Sequence, residues 1–144
     1  MSQQLKLSEI CAKDIMTAQV AVIDQTMLIG RAAHLMLRER VSSYPVVDQN
    51  GVVVGIITIN DLFALIDQMF HDKKINFSES IAQFKSRPVN HIMSKNVIGI
   101  SPDTPLDEII EIITKWHIHT FPVIKDNKLV GIVGRHDIIN ATFT

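Results

Sequence analysis

Residues 44–62 read Tyr44-Pro45-Val46-Val47-Asp48-Gln49-Asn50-Gly51-Val52-Val53-Val54-Gly55-Ile56-Ile57-Thr58-Ile59-Asn60-Asp61-Leu62. The phrase returns near the end of the chain: Phe121-Pro122-Val123-Ile124, then Gly131-Ile132-Val133-Gly134, then His136-Asp137-Ile138. Each version is an apolar run, a turn, a second apolar run and an aspartate. Asn50-Gly51 between β-branched runs is a hairpin signal, because both residues tolerate positive φ. Asp126-Asn127 takes that place in the second version.

Working outward, Ile15-Met16-Thr17 recurs as Ile92-Met93-Ser94. Met16 lies 29 residues before Pro45, and Met93 lies 29 before Pro122. Pro45 to Asp61 spans 16 residues and Pro122 to Asp137 spans 15. The missing residue falls between Val47 and Val52, where the turn belongs. Landmarks kept in register across two halves define an internal repeat. The reading is a lead-in helix over 1–13, a first unit over 14–66, a helical connection over 67–90 and a second unit over 91–144.

Each unit opens with a short strand, Val20-Ala21-Val22-Ile23 or Val97-Ile98-Gly99-Ile100. A helix follows. In the second copy Thr104 is expected as N-cap and Pro105 as the first helical residue, with Asp107 and Glu108 at the positive end. Leu106, Ile109, Ile110 and Ile113 keep helical spacing, as do Ile29, Ala32, Ala33, Met36 and Leu37 in the first. Two strands and a closing helix from Asp61 or Asp137 complete a β-α-β-β-α order. In the lead-in, Leu5, Ile10 and Cys11 are expected to face inward. In the connection, Gln68–Lys74 extends the closing helix and Ser78–Lys85 forms an amphipathic helix stopped by Pro88. Phe70, Ile75, Phe77, Ile81 and Phe84 give it enough apolar groups to pack.

A unit of about 50 residues buries too little surface to be stable alone. The expected fold class is therefore α/β of the α+β type: two tandem units packed sheet to sheet about a pseudo-twofold axis. Composition limits the function. The 144 residues are 47% apolar and the net charge is −1, which argues against a role in neutralising phosphate backbones, so no nucleic-acid partner is expected. One cysteine, Cys11, excludes an internal disulfide framework. No apolar run approaches the roughly 20 residues that span a bilayer, and the N-terminus lacks a secretory pattern, so a cytoplasmic protein without a membrane partner is expected.

The ordered, duplicated set Ile-Met-[Thr/Ser], [Tyr/Phe]-Pro-Val-[Val/Ile] and Gly-Ile-[Ile/Val]-x-x-x-Asp resembles a CBS domain pair, the cystathionine-β-synthase-type regulatory module. The resemblance covers roughly residues 10–142. It implies tandem pairing, often a dimer of pairs, and adenine nucleotides or adenosyl compounds bound in two clefts between the copies. It implies regulation, not catalysis, on behalf of an enzyme, channel or transporter. No attached effector is expected, and the output is expected to pass to a separate, unidentified partner protein.

The resemblance places ribose-binding aspartates at Asp61 and Asp137. One carboxylate can accept from both ribose hydroxyls, and charge-assisted bonds are roughly twice as strong as neutral ones. The family pattern puts Ser or Thr three residues earlier. Thr58 fits and Gly134 does not, while Arg135 and His136 offer positive charge to a phosphate. For the Asp137 cleft, Thr17, Val20 and Ala21 are expected to hold the base, with Ser42, Ser43 and Tyr44. For the Asp61 cleft the set is Ser94, Val97 and Ile98, with His119, Thr120 and Phe121. The expected ligand is AMP, ADP, ATP or S-adenosylmethionine, with no required cofactor and no metal.

Blander readings accompany each of these. An aspartate at a helix start is often only a cap, worth about 1 kcal/mol. His117-x-His119 would place two imidazoles on one side of a strand, yet no third ligand lies nearby in sequence. Cys11 reads as a small apolar group, and Met16, Met36 and Met93 read as core or cleft fillers. Ser42-Ser43 lacks a glycine elbow and a base, so nucleophilic catalysis is not expected. The alternative function is a ligand-free dimerisation or interaction module with vestigial clefts. Leu28, Leu35 and Leu37 on one helix and Ile112, Ile113 and Trp116 on the other exceed a single inward stripe, so a homodimer is expected.

Overall fold

The computed structural model describes residues 6–18, 20–74 and 76–144. Leu5 and Ile75, expected to pack, lie outside the described residues. The fold is mixed α/β, with the elements in the order the repeat requires: α1 (Ala12–Ile15), β1 (Ile23–Asp24), α2 (Ile29–Glu39), β2 (Ser43–Val47), β3 (Val53–Thr58), α3 (Ile59–His71), α4 (Phe77–Lys85), α5 (Leu106–Trp116), β4 (Thr120–Lys125), β5 (Lys128–Gly134) and α6 (Arg135–Phe143). None of the described helices is long and apolar enough to cross a membrane.

The chain forms two compact units. A central unit runs from Ala21 to Val97, and a split unit combines Met1–Val20 with Ile98–Thr144. These units cut across the repeat, because each takes the opening segment of the other copy.

In the central unit, β2 and β3 form the antiparallel hairpin and β1 joins β2 in parallel, Ile23 opposite Val46. Gly51 turns the hairpin at φ 78°, and the Asp48 carboxylate accepts from the amides of Asn50 and Val52. Ile23, Ile29, Ala32, Met36, Tyr44, Val46 and Ile57 make its core. Val89, from the end of the connection that leads into the second copy, completes that core and is fully buried. Burying a valine is worth about 2 kcal/mol.

The split unit mirrors this. β4 and β5 pair antiparallel, turned by Asp126 and Asn127, both at positive φ. Ile100, Leu106, Ile109, Phe121, Val123 and Val133 form the core, completed by Ala12 of the lead-in to the first copy. The exchange is hydrogen-bonded at matching places. The Ile29 amide donates to Arg87 O at 2.8 Å, and the Leu106 amide donates to Ile10 O at 2.7 Å. Ile56 and Ser94 exchange two backbone bonds, as do Thr17 and Ile132. Met93 packs over Gly55 and Met16 over Gly131, in each case where a Cβ would stand 2.5 Å from sulfur.

Several local expectations are corrected. The lead-in is not one helix: a 3-10 turn over Leu7–Glu9 and the short α1 are separated by extended backbone at Ile10 and Cys11. That extension lets Cys11 pair with Pro105. Pro105, not Thr104, is the N-cap of α5, and the Thr104 hydroxyl instead accepts from the Ser101 amide at 2.9 Å. The second opening strand contracts to a single bridge, Ile100 to Val123. Glycine weakens a strand, and Gly99 lies there with Ile124 Cδ1 2.9 Å from where a Cβ would stand. The closing helices begin at Ile59 and Arg135, two residues before their aspartates. α3 stops at His71, short of Lys74.

Apolar exposure also departs from expectation. Leu37 and Phe70 are about 70% exposed, so neither belongs to an inward stripe. Leu35 packs on the central core, and Ile112 and Ile113 on the other. Ile59, Phe63, Ile66 and Phe70 form an exposed row along α3, since residues three and four apart share a helix face.

Candidate functional site

The two aspartates occupy the third position of α3 and α6, where helix amides lack intrahelical partners. Around Asp61 the cap is reciprocal. The Thr58 amide and hydroxyl both donate to Asp61 Oδ2, at 2.8 and 2.9 Å. The Asp61 amide donates back to the Thr58 hydroxyl oxygen at 3.1 Å. This Thr-x-x-Asp pattern is a capping box, a signal legible in the sequence. The cap fixes the carboxylate at the junction where β3 enters α3.

At Asp137 the glycine supplies only its amide, which donates to Oδ2 at 2.8 Å. The absent hydroxyl is replaced from elsewhere in the chain. The Thr17 hydroxyl donates to Asp137 Oδ1 at 3.2 Å. Thr17 reaches it because its backbone is paired with Ile132 on β5. Ser94 occupies the matching place beside Ile56 on β3. Each aspartate thus shares a compact unit with the hydroxyl residue that the sequence grouped with it.

The segments before the prolines group differently. The sequence reading put Ser42, Ser43 and Tyr44 with Asp137. The register sets Ser43 opposite Thr58, and Ser42 O accepts from the Ile59 amide, so both serines flank the Asp61 cap. Likewise Thr120 pairs with Gly134, and His119 O lies 3.9 Å from where a Gly134 Cβ would stand, so these residues flank the Asp137 cap. The reason is hairpin geometry: the strand carrying the proline is antiparallel to the one ending in the cap. Tyr44 and Phe121 are core residues, leaving only their backbones for a ligand. Val20 and Ala21 straddle one unit boundary, and Val97 and Ile98 the other.

Charge differs between the caps. α6 begins with Arg135 and His136, both exposed, beside exposed His119. The corresponding places at α3 hold Ile59, Asn60 and Ser42. His117, expected on a strand, is the left-handed C-cap of α5 at φ 56°. Among the described residues no group of three His, Cys, Asp or Glu could hold a metal ion. A separate open cavity of about 450 Å³, lined by Lys13, Asp103, Lys125 and Asp126 among others, includes neither aspartate cap.

The chain thus carries two repeats, each with a capped aspartate at the start of its closing helix. It belongs to the CBS domain family, whose model matches residues 12–68 and 89–143. The CBS domain-containing protein YhcV of Bacillus subtilis is 30% identical over 126 residues, covering 88% of this chain and 81% of YhcV. A homoserine O-acetyltransferase of Methanohalobium evestigatum is 32% identical over 133 residues, but the chain spans only 24% of its length. Among solved structures, the CBS-domain containing protein ATU1752 of Agrobacterium tumefaciens aligns with a TM-score of 0.77 at 25% identity, over 93% of this chain and all of that one. The CBS domain pair of protein MJ0100, solved with 5′-methylthioadenosine and S-adenosyl-L-methionine, aligns at 0.71 with 28% identity, over 92% and 95% of the two chains.

Proposed function

We propose that this chain is a nucleotide-sensing regulatory module that binds an adenine nucleotide or adenosyl compound at Asp61 and Asp137 and signals to a separate protein. Each carboxylate accepts the paired ribose hydroxyls while remaining the helix cap, since a carboxylate has four lone-pair sites. Thr58, Ser42 and Ser43 flank the first site, and Thr17, His119 and Thr120 the second. The ligands of MJ0100 support an adenosyl group as the common element. The observation that carries the reading is the Thr17–Asp137 hydrogen bond, which ties a cap carboxylate to the exchanged opening segment. A ligand engaging that carboxylate favours one arrangement of the segment over another, which is how a bound nucleotide shifts a population.

A second reading, a ligand-free dimerisation module, is favoured by Gly134 and by the capping bonds already made by both aspartates. The exposed α3 row and exposed Leu28, Leu37 and Trp116 suit a homodimer under either reading. A thermal-shift panel of AMP, ADP, ATP and S-adenosylmethionine separates the two. A ligand at 100 times its Kd adds about 2.7 kcal/mol of stability. A shift with at least one ligand supports sensing, and none with any supports the scaffold. Light scattering after gel filtration checks the dimer, and a monomer at micromolar concentration refutes it.

A further inference from the structure

We infer that the two aspartate sites discriminate by charge: Asp137 takes adenosine carrying a phosphate, and Asp61 takes adenosine without one. The inference rests on the adenosyl reading above and assigns a specificity role to Arg135, His136 and His119. The two caps share one backbone plan, so their differences lie in side chains. At α6 the first two helical residues are Arg135 and His136, and the adjoining strand entry carries His119. The arginine is permanently charged, and its planar fork matches a phosphate in two places. Each imidazole adds a donor in either protonation state. At α3 the same places hold Ile59 and Asn60, with Ser42 beside them. These offer no cation, and exposed Ile59 suits an apolar 5′ substituent such as a thioether.

The carboxylates also differ in which oxygens are engaged. Asp61 receives both Thr58 bonds on Oδ2. Asp137 receives one bond on each oxygen. An anionic ligand must approach a carboxylate in either site. At Asp137, Arg135 sits two residues away and offsets that repulsion, whereas no cationic residue stands at the matching place near Asp61. Lys95, beside Ser94 on the segment paired with β3, is the cation on the Asp61 side, but no cation opens α3 itself, so a phosphate is favoured at the α6 cap over the α3 cap.

The test is calorimetry of the full chain with adenosine and with AMP, in Asp61→Ala and Asp137→Ala, repeated in Asp61→Asn and Asp137→Asn, which preserve a cap acceptor. With only the Asp137 site intact, AMP should bind about tenfold tighter than adenosine. Added salt should shrink that preference. With only the Asp61 site intact, AMP should bind no tighter than adenosine. Arg135→Ile with His136→Asn, placed in the Asp61→Ala chain, should bring the two affinities together. Equal AMP-to-adenosine ratios in the two single-site chains, or a ratio untouched by the exchange, overturn the inference and leave adenosyl binding standing. Failure of both compounds to bind the unaltered chain overturns adenosyl binding itself, and this inference with it.

Discussion

The Thr17 hydroxyl donates to Asp137 across 120 residues of chain, at 3.2 Å. The pair joins the first copy's opening segment to the second copy's closing helix. At Asp61 the hydroxyl comes from Thr58, only three residues away, and it reaches Oδ2 where Thr17 reaches Oδ1. The hydroxyl bonded to one aspartate is therefore supplied locally and the other by exchange.

Thr17→Val removes that hydroxyl while keeping the shape. The bond is exposed, so the stability loss should be only about 0.5 kcal/mol. Nucleotide affinity at Asp137 should fall, while binding at Asp61 stays as it was. Calorimetry in the Asp61→Ala and Asp137→Ala backgrounds reads each site separately, and an equal loss at both sites would contradict a local role for Thr17.

Gly131→Ala and Gly55→Ala test the exchange itself. The new methyl would stand 2.5 Å from Met16 or Met93 sulfur, and 3.0 or 2.9 Å from a backbone oxygen, Thr17 O or Ser94 O. Sulfur can swing away, but the paired backbone cannot. Each substitution should cost about 1–3 kcal/mol in urea unfolding. Met16→Ala combined with Gly131→Ala should recover only part of that loss, because the backbone clash persists.

Gly134→Ser should be accommodated. Its Cβ would meet nothing closer than 3.8 Å, and φ of −124° suits any residue. A serine there restores the hydroxyl of the capping box, worth a few tenths of a kcal/mol over glycine. Thermal unfolding should move slightly upward. A fall in stability would mean that the Asp137 cap requires glycine.

Two shifted groups give testable pH effects. The hydroxyl and amide of Thr26 hold the Asp24 carboxyl below its usual range. Its contribution is present above the unfolded value near 3.8 and is lost as pH falls through the lower folded value. Asp24→Asn should lose stability at neutral pH, and its gap from the unaltered chain should narrow in acid. Burial raises the Tyr44 phenol above its ordinary 10.0. The folded state then holds the proton more tightly, so stability is full below pH 10.0 and falls as pH rises toward the folded value. Tyr44→Phe should flatten that alkaline decline in denaturant titrations.

Much of this protein was legible in the chain alone. The duplicated phrase from Pro45 to Asp61 and from Pro122 to Asp137 located both hairpins and both closing helices, because turn chemistry and apolar periodicity are local properties. The Thr58-x-x-Asp61 cap follows from the same short range. What residue spacing did not reveal were contacts set by antiparallel register. Ser43 lies opposite Thr58, and Thr120 opposite Gly134, because the strands fold back on themselves. Arg40 and His117, which end α2 and α5 at positive φ, carry no sequence mark of that role.

The sequence by itself determined the repeat, the order of strands and helices, and the two aspartates, since each depends on neighbours a few residues apart. Only the tertiary structure decided that Val89 completes the core around Ile23 and Ala12 the core around Phe121, and that Thr17 serves Asp137. Two similar opening segments present nearly the same apolar face to either copy. Which core each one fills is decided by the closing of the chain, where Met16 over Gly131 and Met93 over Gly55 lock the exchanged partners in place.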